Sequence, residues 1–465
     1  MDEAAKGAFV RAPRVLVAAT ASDVGKTTVV CGMLRALARR GLRLRACKCG
    51  PDYLDPQFHH AVLGVPSRNL DLFLTGEELV RELVARGALD ADLTVIEGAM
   101  GYYDGIARSA EASAYDVARV TGTPVVLVVD ARGRALSVAA EVAGYARFRE
   151  PSMVAGVILN RASAGYAPAL ASMIEAETGV PVLGHVPVVA EAALGRRHLG
   201  LVAASEVEGL QRRVDALADV MEATVDLDAL LALARAAEPL EFGPQVPPVP
   251  REARPLVAVA RDEAFSFYYE DALELLERLG ARLVAFSPVH DEGLPAGACG
   301  LVLGGGYPEL HARDLSRNAS MRDAVRQAIA AGTPTIAECG GFLYLHESLE
   351  DVDGVAWPMV GAVPGRAYGR DRLGRFGYVT LTARTDSLLA RRGETLPAHE
   401  FHYWQSTDPG DGFHAQKPQT TRGWDCVVSG PSLFAGFPHL HLGGRPEAAR
   451  RFVDACAAFG ERGAR

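Results

Sequence analysis

The chain has 465 residues, of which 49% are hydrophobic and 23% charged, and its formal net charge is −9. This length is too great for one hydrophobic core and predicts two or three domains. The negative charge disfavours nucleic acid as a partner, and no apolar run is long enough to span a bilayer, so we expect no membrane association. An anionic ligand would need local basic groups, for which the candidates are Lys26, Arg45, Lys48 and Arg68.

The first 13 residues have a mixed composition without the apolar core of a signal peptide. They predict a flexible tail, residues 1–13, on a cytoplasmic enzyme. Seven cysteines without a secretory signal favour reduced thiols. Cys47 and Cys49 lie on an apolar stretch that predicts a strand, and a metal site there would lack a second ligand pair.

The first motif follows the strand-like run Val15–Val17. The sequence Ala18–Thr28 leads from this run into an amphipathic helical segment, an order typical of a phosphate-binding loop. The helix N-terminus would bind phosphate, Lys26 would reach the outer phosphates and the Thr27 hydroxyl would ligate Mg²⁺. Thr20 stands where GxxxxGK[ST] has its first glycine, so an incidental strand, turn and helix is the alternative.

Two acidic segments follow the next predicted strands. After Leu44–Cys49, residues 50–60 contain two prolines, a glycine and two aspartates, and predict a ligand-binding loop at the carboxyl end of a strand. The strand Leu93–Ile96 runs into Glu97 and a glycine-rich segment. Glu97 is placed to hold Mg²⁺, or alternatively serves as a helix-capping or turn carboxylate.

Three further apolar strands, separated by helical or loop segments, predict a mainly parallel sheet with helices on both faces. They are Val125–Val129, Val154–Leu159 and Val182–Val186. Asn160 ends the second of them, where its amide could read a nucleotide base or form part of a turn. A helical pattern over residues 205–237 completes a first domain, residues 14–237. The proline-rich residues 238–254 predict an interdomain linker.

Residues 255–465 predict a second α/β domain. Three glycines, Gly304–Gly306, directly follow one of its apolar strands. Their unobstructed backbone N–H groups suit an oxyanion hole, although a flexible turn is the alternative. The predicted elements before this motif are the strands Leu256–Ala260, Arg282–Ser287 and Leu301–Leu303 and a helix over residues 268–279.

The segment Thr335–Tyr344 is a strand that ends at Cys339, followed by two glycines and an apolar helix. This order is typical of a nucleophile elbow, in which the helix N-terminus favours a thiolate. A buried structural cysteine is the alternative. A thiolate needs a base, and sequence alone cannot choose among the C-terminal histidines. Chain order favours the last cluster, just before a final helix over residues 446–459; the candidates are His399, His402, His439 and His441.

Taken together, these motifs resemble the cobyrinic acid a,c-diamide synthase family over nearly the whole chain. The N-terminal half is similar to dethiobiotin synthetase, whose phosphate loop also lacks the first glycine, and the C-terminal half is similar to type I glutamine amidotransferase domains. The motifs that carry the resemblance are Thr20–Thr28, Cys49–Pro56, Ile96–Gly101, Gly304–Glu309 and Glu338–Gly341.

The resemblance implies an α/β enzyme with two sites in two domains. Cys339 would attack glutamine, form a thioester and free ammonia, with His439 as proton-transfer partner. The backbones of Gly305, Gly306 and Gly340 would stabilise the oxyanion. ATP would phosphorylate the a and c acetate carboxylates of cobyrinic acid, and ammonia would convert them to amides in cobalamin biosynthesis.

The same resemblance implies site residues and small-molecule partners. The partners are ATP, glutamine and a corrinoid, and the cofactor is Mg²⁺. A homodimer is a candidate assembly, but the sequence does not fix the oligomeric state. Thr27 and Glu97 would serve the metal. ATP would contact Ser22, Gly25, Lys26, Thr27, Thr28 and Asn160, and the corrinoid Asp52, Tyr53, Leu54, Asp55 and Asp104.

One departure and two alternatives accompany the resemblance. Type I amidotransferase domains commonly carry His-x-Glu, whereas His441 follows His439 here, so the third member of the triad is missing or lies elsewhere. Hydrogenobyrinic acid or nickel sirohydrochlorin could replace cobyrinic acid. A nucleotide-switch protein is a different class of function, but its loops usually carry an additional lysine that Ala18–Asp23 lacks.

Overall fold

The computed structural model describes residues 8–189, 196–197, 200–201, 209–243, 249, 254–370 and 372–463. The chain separates into two compact units, Met1–Gln245 and Val246–Arg465. Both belong to the α/β class, which confirms the predicted fold class. The seven cysteines form no disulfide. None of the helices in the described part of the chain combines the length and apolar character needed to cross a membrane.

The first unit contains a seven-stranded sheet in which every pairing is parallel. Alternate residues of the central strand Arg14–Ala19 pack into two separate hydrophobic clusters, Val15 and Val17 in one and Leu16 and Ala18 in the other. Both faces of the sheet are therefore covered, as its apolar strands predict. The strand order is Ser67–Leu70, Leu44–Cys49, Leu93–Glu97, Arg14–Ala19, Val125–Asp130, Val154–Asn160 and Val182–Val186.

The helices of the first unit differ from the sequence prediction in two places. Most of the predicted loop over residues 50–60 is a helix, Leu54–Leu63. Asp52 Oδ1 accepts the backbone N–H groups of the first two helical residues, which starts this helix despite Pro56. The helical segment predicted over residues 205–237 is two helices, and its residues 205–208 lie outside the described residues. The helices are Lys26–Arg39, Leu54–Leu63, Leu72–Ala88, Ala114–Thr121, Leu136–Arg147, Ala167–Thr178, Leu210–Thr224 and Leu227–Arg235.

Two short segments predicted as tail and linker form a sheet of their own. Ala8–Val10 pairs antiparallel with Leu240–Phe242. Leu240 is buried, and Val10 and Phe242 pack against the hydrophobic core. This burial orders segments that the composition alone assigns to irregular structure. Residues 1–7, 244–248 and 250–253 lie outside the described residues, and the predicted domain boundaries stay a prediction.

The second unit combines a six-stranded sheet with two smaller ones. The six-stranded sheet is parallel except for its last strand, in the order Arg282–Phe286, Leu256–Ala260, Ala298–Leu303, Thr335–Glu338, Leu433–Gly436 and Val428–Ser429. The antiparallel five-stranded sheet has the order Gly423–Cys426, Phe413–Gln416, Arg375–Ala383, Thr395–His402 and His439–Leu440. The third sheet has the order Ala356–Pro358, Ser348–Glu350, Arg366–Tyr368 and Gln405–Ser406.

Helices and 3₁₀ turns connect and cover these strands. The final helix, Pro446–Gly463, extends a few residues beyond the predicted end at residue 459. The others are Glu270–Arg278, Pro308–Leu310, Ala312–Arg317, Ala319–Ala330, Gly340–Leu345 and Leu442–Gly444. The predicted nucleophile and the predicted histidine base are therefore at the ends of strands in two different sheets of this unit.

Candidate active site

The phosphate loop of the first unit is held in place by side chains from outside it. Three of its backbone carbonyls accept hydrogen bonds from one residue of the helix Leu136–Arg147 and from two residues at the end of the strand Val154–Asn160. Such contacts fix the loop backbone before any ligand binds, which favours binding because less conformational entropy is lost. The bonds run from Tyr145 to Thr20 at 2.6 Å, from Asn160 to Val24 at 2.6 Å and from Arg161 to Asp23 at 2.7 Å.

Gly25 precedes the helix Lys26–Arg39 in a left-handed conformation, with φ of 95°. A Cβ atom at this position would lie 2.2 Å from Asn160 Nδ2, so the position requires glycine for both backbone and space. The Asn160 amide holds the loop in this structure, and its predicted contact with the ATP base stays a prediction. Ser22 is exposed on the loop.

Lys26 points from the start of the helix toward the segment after the strand Leu93–Glu97. Its Nζ donates to the Met100 carbonyl at 2.7 Å. Burial, with repulsion from Lys48, lowers the pKa of Lys26 to about 8. A phosphate group beside Lys26 would favour its charged form, since an opposite charge within a few ångströms raises the pKa of an ammonium group.

Glu97 is fully buried and is the centre of a polar cluster. Thr27 Oγ1 donates to Glu97 Oε1 at 2.6 Å, Lys48 Nζ lies 2.9 Å from the same oxygen, and His59 Nε2 lies 3.2 Å from Oε2. Burial disfavours the carboxylate, but the Lys48 charge and the His59 hydrogen bond hold the pKa of Glu97 well below its usual range. The Thr27 hydroxyl and the ionised Glu97 carboxylate are hard oxygen donors, which fit Mg²⁺.

Asp55 joins this cluster through Lys48, with which it forms a buried ion pair. Burial and the nearby Glu97 charge raise the pKa of Asp55 to about 7. Asp55 and His59 are four residues apart on the helix Leu54–Leu63 and so face the same side. The cluster thus contains two carboxylates with opposite pKa shifts, which is common where a site binds or transfers charge.

The other residues predicted to bind the corrinoid lie in different surroundings. Asp52 accepts backbone N–H groups at the start of its helix, and the side chains of Tyr53 and Leu54 are largely buried. Asp104 is exposed and its Oδ2 accepts the Gly101 N–H at 3.1 Å. Of the five predicted residues, Asp55 is the one that the structure places in the polar cluster around Glu97. Corrinoid binding stays a prediction for all five.

Cys339 in the second unit occupies a sharp turn between the strand Thr335–Glu338 and the helix Gly340–Leu345. Its φ of 45° and ψ of −100° are strained for a residue with a side chain. A Cβ at Gly341 would lie 2.1 Å from the Leu303 carbonyl, so the turn admits only a small neighbour there. The geometry matches the predicted nucleophile elbow.

The three glycines predicted to form an oxyanion hole lie close together beside His439. A Cβ on Gly305 would lie 2.5 Å from His439 Cε1, and one on Gly340 would lie 3.0 Å from the Gly306 nitrogen. Gly306 has φ of 154°, and a Cβ there would lie 2.1 Å from the Ala264 carbonyl. Side chains at these three positions would therefore clash with their surroundings, and oxyanion binding by the glycine backbones stays a prediction.

His439 is the candidate histidine that contacts Cys339. Its side chain is buried, and in the five-stranded sheet His439 pairs with His399 of the adjacent strand. Burial lowers the pKa of His439, but the charge and hydrogen bond of Cys339 and the nearby Glu338 outweigh burial and raise it to about 10. An imidazole of this kind can hold the proton that a thiol gives up.

The other three histidines have different environments. Burial lowers the pKa of His399 and of His402 to about 3, so both are neutral near pH 7. His402 also stacks on Phe437 with ring centroids 3.8 Å apart. His441 Nε2 lies 2.7 Å from the buried carboxylate of Asp271. The contact with Cys339 favours His439 among the four candidates, and its role as the base stays a prediction.

Comparison with known proteins matches both halves of the chain. Residues 15–199 match the CobQ/CobB/MinD/ParA nucleotide binding domain, and residues 256–447 match the CobB/CobQ-like glutamine amidotransferase domain. Cobyrinate a,c-diamide synthase of Caldanaerobacter subterraneus subsp. tengcongensis is 37% identical over 450 residues, which cover 96% of this chain and 99% of the relative. The chain belongs to the cobyrinate a,c-diamide synthase family. The Salmonella typhimurium relative of the same name is 40% identical over 452 residues, or 95% of this chain and 97% of the relative.

Membership of the cobyrinate a,c-diamide synthase family confirms the predicted resemblance and the prediction of a glutamine-hydrolysing ligase. It also supports amide formation in cobalamin biosynthesis and use of a nucleotide. The alternative of a nucleotide-switch protein is wrong, because the chain matches these ligases through both halves.

The polar residues around Glu97 include two that sequence reasoning did not place in the site. Lys48 was only one of several basic candidates, and His59 had no assigned role. A helical interpretation of residues 54–63 would have put Asp55 and His59 on one face, so the signal was present in their spacing. The contact of both with Glu97 depends on strand order, which the local sequence does not specify.

Proposed function

We propose that this member of the cobyrinate a,c-diamide synthase family amidates the a and c acetate carboxylates of cobyrinic acid, using ATP and the amide nitrogen of glutamine. The observation that carries the proposal is the contact of Cys339 with His439 beside three glycine backbones. The phosphate loop, in which the partly buried Thr27 contacts the buried Glu97, supports the ATP-dependent part. The relatives named cobyrinate a,c-diamide synthase support the choice of substrate.

Glutamine hydrolysis begins at Cys339. The thiolate attacks the side-chain amide carbon of glutamine while the Cys339 proton resides on His439. The backbone N–H groups of Gly305, Gly306 and Gly340 stabilise the oxyanion of the tetrahedral intermediate. His439 returns the proton to the leaving nitrogen, which departs as ammonia, and water then hydrolyses the thioester to glutamate and restores Cys339.

Amide formation requires activation of the acceptor, because a carboxylate oxygen is a poor leaving group. The corrinoid carboxylate attacks the γ-phosphorus of ATP, giving ADP and an acyl phosphate; ammonia then displaces phosphate from the acyl carbon. Lys26 and Thr28 with the loop residues Ser22 and Gly25 hold the phosphates, which positions the reacting atoms. Thr27 and Glu97 would hold Mg²⁺, which neutralises phosphate charge when bound.

Asn160 completes the proposed ATP contacts, and the corrinoid contacts are Asp52, Tyr53, Leu54, Asp55 and Asp104. Lys48 and His59 keep Glu97 ionised inside the protein, as their distances to its two oxygens support. We retain residues 14–237 and 255–465 as the proposed catalytic domains, joined by residues 238–254. A cytoplasmic location and a homodimer remain predictions.

The proposal is tested by supplying the purified protein with ATP, Mg²⁺ and glutamine together with one tetrapyrrole at a time. We expect mass spectrometry to show a diamide from cobyrinic acid and slower or no reaction with hydrogenobyrinic acid and nickel sirohydrochlorin. Preference for one of the other two tetrapyrroles would contradict the assigned substrate. Failure to consume glutamine with any of them would contradict the proposed reaction.

A further inference from the structure

The His439 side chain of the second unit needs a group that orients it, and the residue two positions later does not supply one. That residue is His441, whose Nε2 lies 2.7 Å from Asp271 Oδ2. Both members of this pair are buried, and the His441 ring packs 4.7 Å from the Tyr269 ring. His441 is thereby held by the helix that contains Asp271, Glu270–Arg278.

Glu338, the residue directly before the nucleophile, lies beside His439. Its Oε2 is 3.7 Å from His439 Nδ1, and its Oε1 accepts the Leu440 backbone N–H at 3.1 Å. The Glu338 side chain is 13% exposed. One carboxylate oxygen is thus anchored to the strand that carries His439 while the other faces the imidazole ring.

We infer that Glu338 is the third member of the triad, a positioning residue that orients His439 through Nδ1 and stabilises its protonated form. The inference rests on the proposed glutamine hydrolysis at Cys339. The 3.7 Å separation is longer than a direct hydrogen bond, and such contacts commonly shorten in the substrate complex.

One proton moves from Cys339 to His439 and then to ammonia during the proposed reaction. The proton leaves Cys339 Sγ, bonds to His439 Nε2 and is later transferred to the departing ammonia. A carboxylate near Nδ1 favours the imidazolium and keeps Nε2 directed at the sulfur. The other titratable groups that face His439 are His399, Glu400 and His402 of the strand Thr395–His402.

The test is the substitution Glu338→Gln, which keeps the side-chain volume and an oxygen acceptor for Leu440 but removes the charge. We expect kcat for glutamine hydrolysis to fall roughly 10²-fold, the range of one acid–base contribution. Alkylation of Cys339 by iodoacetamide at pH 7, followed on its peptide by mass spectrometry, should slow about tenfold and recover as the pH is raised. Alkylation slows at pH 7 because the thiolate no longer forms beside a stabilised imidazolium. It recovers at higher pH because the thiol then ionises without that support.

Two further variants separate positioning from structure. Glu338→Asp retains the charge and should recover at least about a tenth of wild-type kcat, whereas Asp271→Asn should change the alkylation profile little. Synthesis with added ammonia should stay within about twofold of wild type in Glu338→Gln. An unchanged alkylation profile in Glu338→Gln, or the same profile change in Asp271→Asn, would overturn the inference. A wild-type protein that hydrolyses no glutamine would instead overturn the proposed function.

Discussion

Replacing Cys339 with alanine should reduce glutamine-dependent amide formation at least about 10³-fold, because the proposed thioester forms on the Cys339 sulfur. Synthesis with a high concentration of ammonium salt should stay within about twofold of wild type, since the ATP-dependent reaction needs only free ammonia. The measurement is the initial rate of amide formation by mass spectrometry with each nitrogen source. Parallel measurement of glutamate shows directly whether hydrolysis is lost.

The matched control for Cys339→Ala is Cys299→Ala in the same unit. Cys299 is partly exposed on the strand Ala298–Leu303, where its sulfur donates to the Gly297 carbonyl. This variant should use glutamine as wild type does. Retention of glutamine hydrolysis in Cys339→Ala, or its loss in Cys299→Ala, would contradict the assignment of the nucleophile.

Replacing Lys26 with methionine should reduce amide formation roughly 10²- to 10³-fold with either nitrogen source, because the γ-phosphoryl group loses a positive charge at its binding site. Basal glutamine hydrolysis should persist. Arg35→Met on the same helix is the control, because Arg35 forms a half-exposed ion pair with Asp215 that contributes little. Equal loss of activity in the two variants would contradict a phosphate-binding role for Lys26.

The same substitution should stabilise the fold, which distinguishes loss of function from loss of structure. The Lys26 pKa is about 8 in the folded chain, against roughly 10.4 in the unfolded chain. Folding with this lysine charged therefore costs up to about 3 kcal/mol below pH 8, and the cost fades as the pH rises toward 10.4. The substitution also removes the hydrogen bond from Lys26 to the Met100 carbonyl. We therefore expect Lys26→Met to increase the free energy of unfolding by about 1–2 kcal/mol near pH 7. A lower Tm than wild type would contradict this account of the buried charge.

The local sequence was sufficient to predict those secondary-structure elements and motifs that depend only on neighbouring residues. The strand, loop and helix around Gly25 and the turn at Cys339 follow from glycine placement and apolar runs, and the structure shows both. Leu54–Leu63 was missed because the two prolines near it outweighed Asp52 as a helix start. Ala8–Val10 was missed because its partner strand is more than 200 residues away in the chain.

Sequence reasoning could predict the parts of the candidate site that lie within one local motif, but not the contacts between distant segments. Cys339 was predicted from its own turn, whereas His439 was chosen over His399, His402 and His441 only through chain order and the family resemblance. Glu338 was quoted within a motif without a role, because its approach to His439 depends on packing between residues 101 positions apart. Long-range contacts of this kind leave no periodic pattern in the sequence.

The most direct test of the account is the origin of the amide nitrogen. The wild-type protein is given ATP, Mg²⁺, cobyrinic acid and glutamine labelled with ¹⁵N in its side-chain amide, at a low concentration of ammonium. We predict ¹⁵N in both new amides of the corrinoid and unlabelled glutamate as the second product. A diamide that contains no ¹⁵N, formed while the labelled glutamine remains intact, would contradict the account.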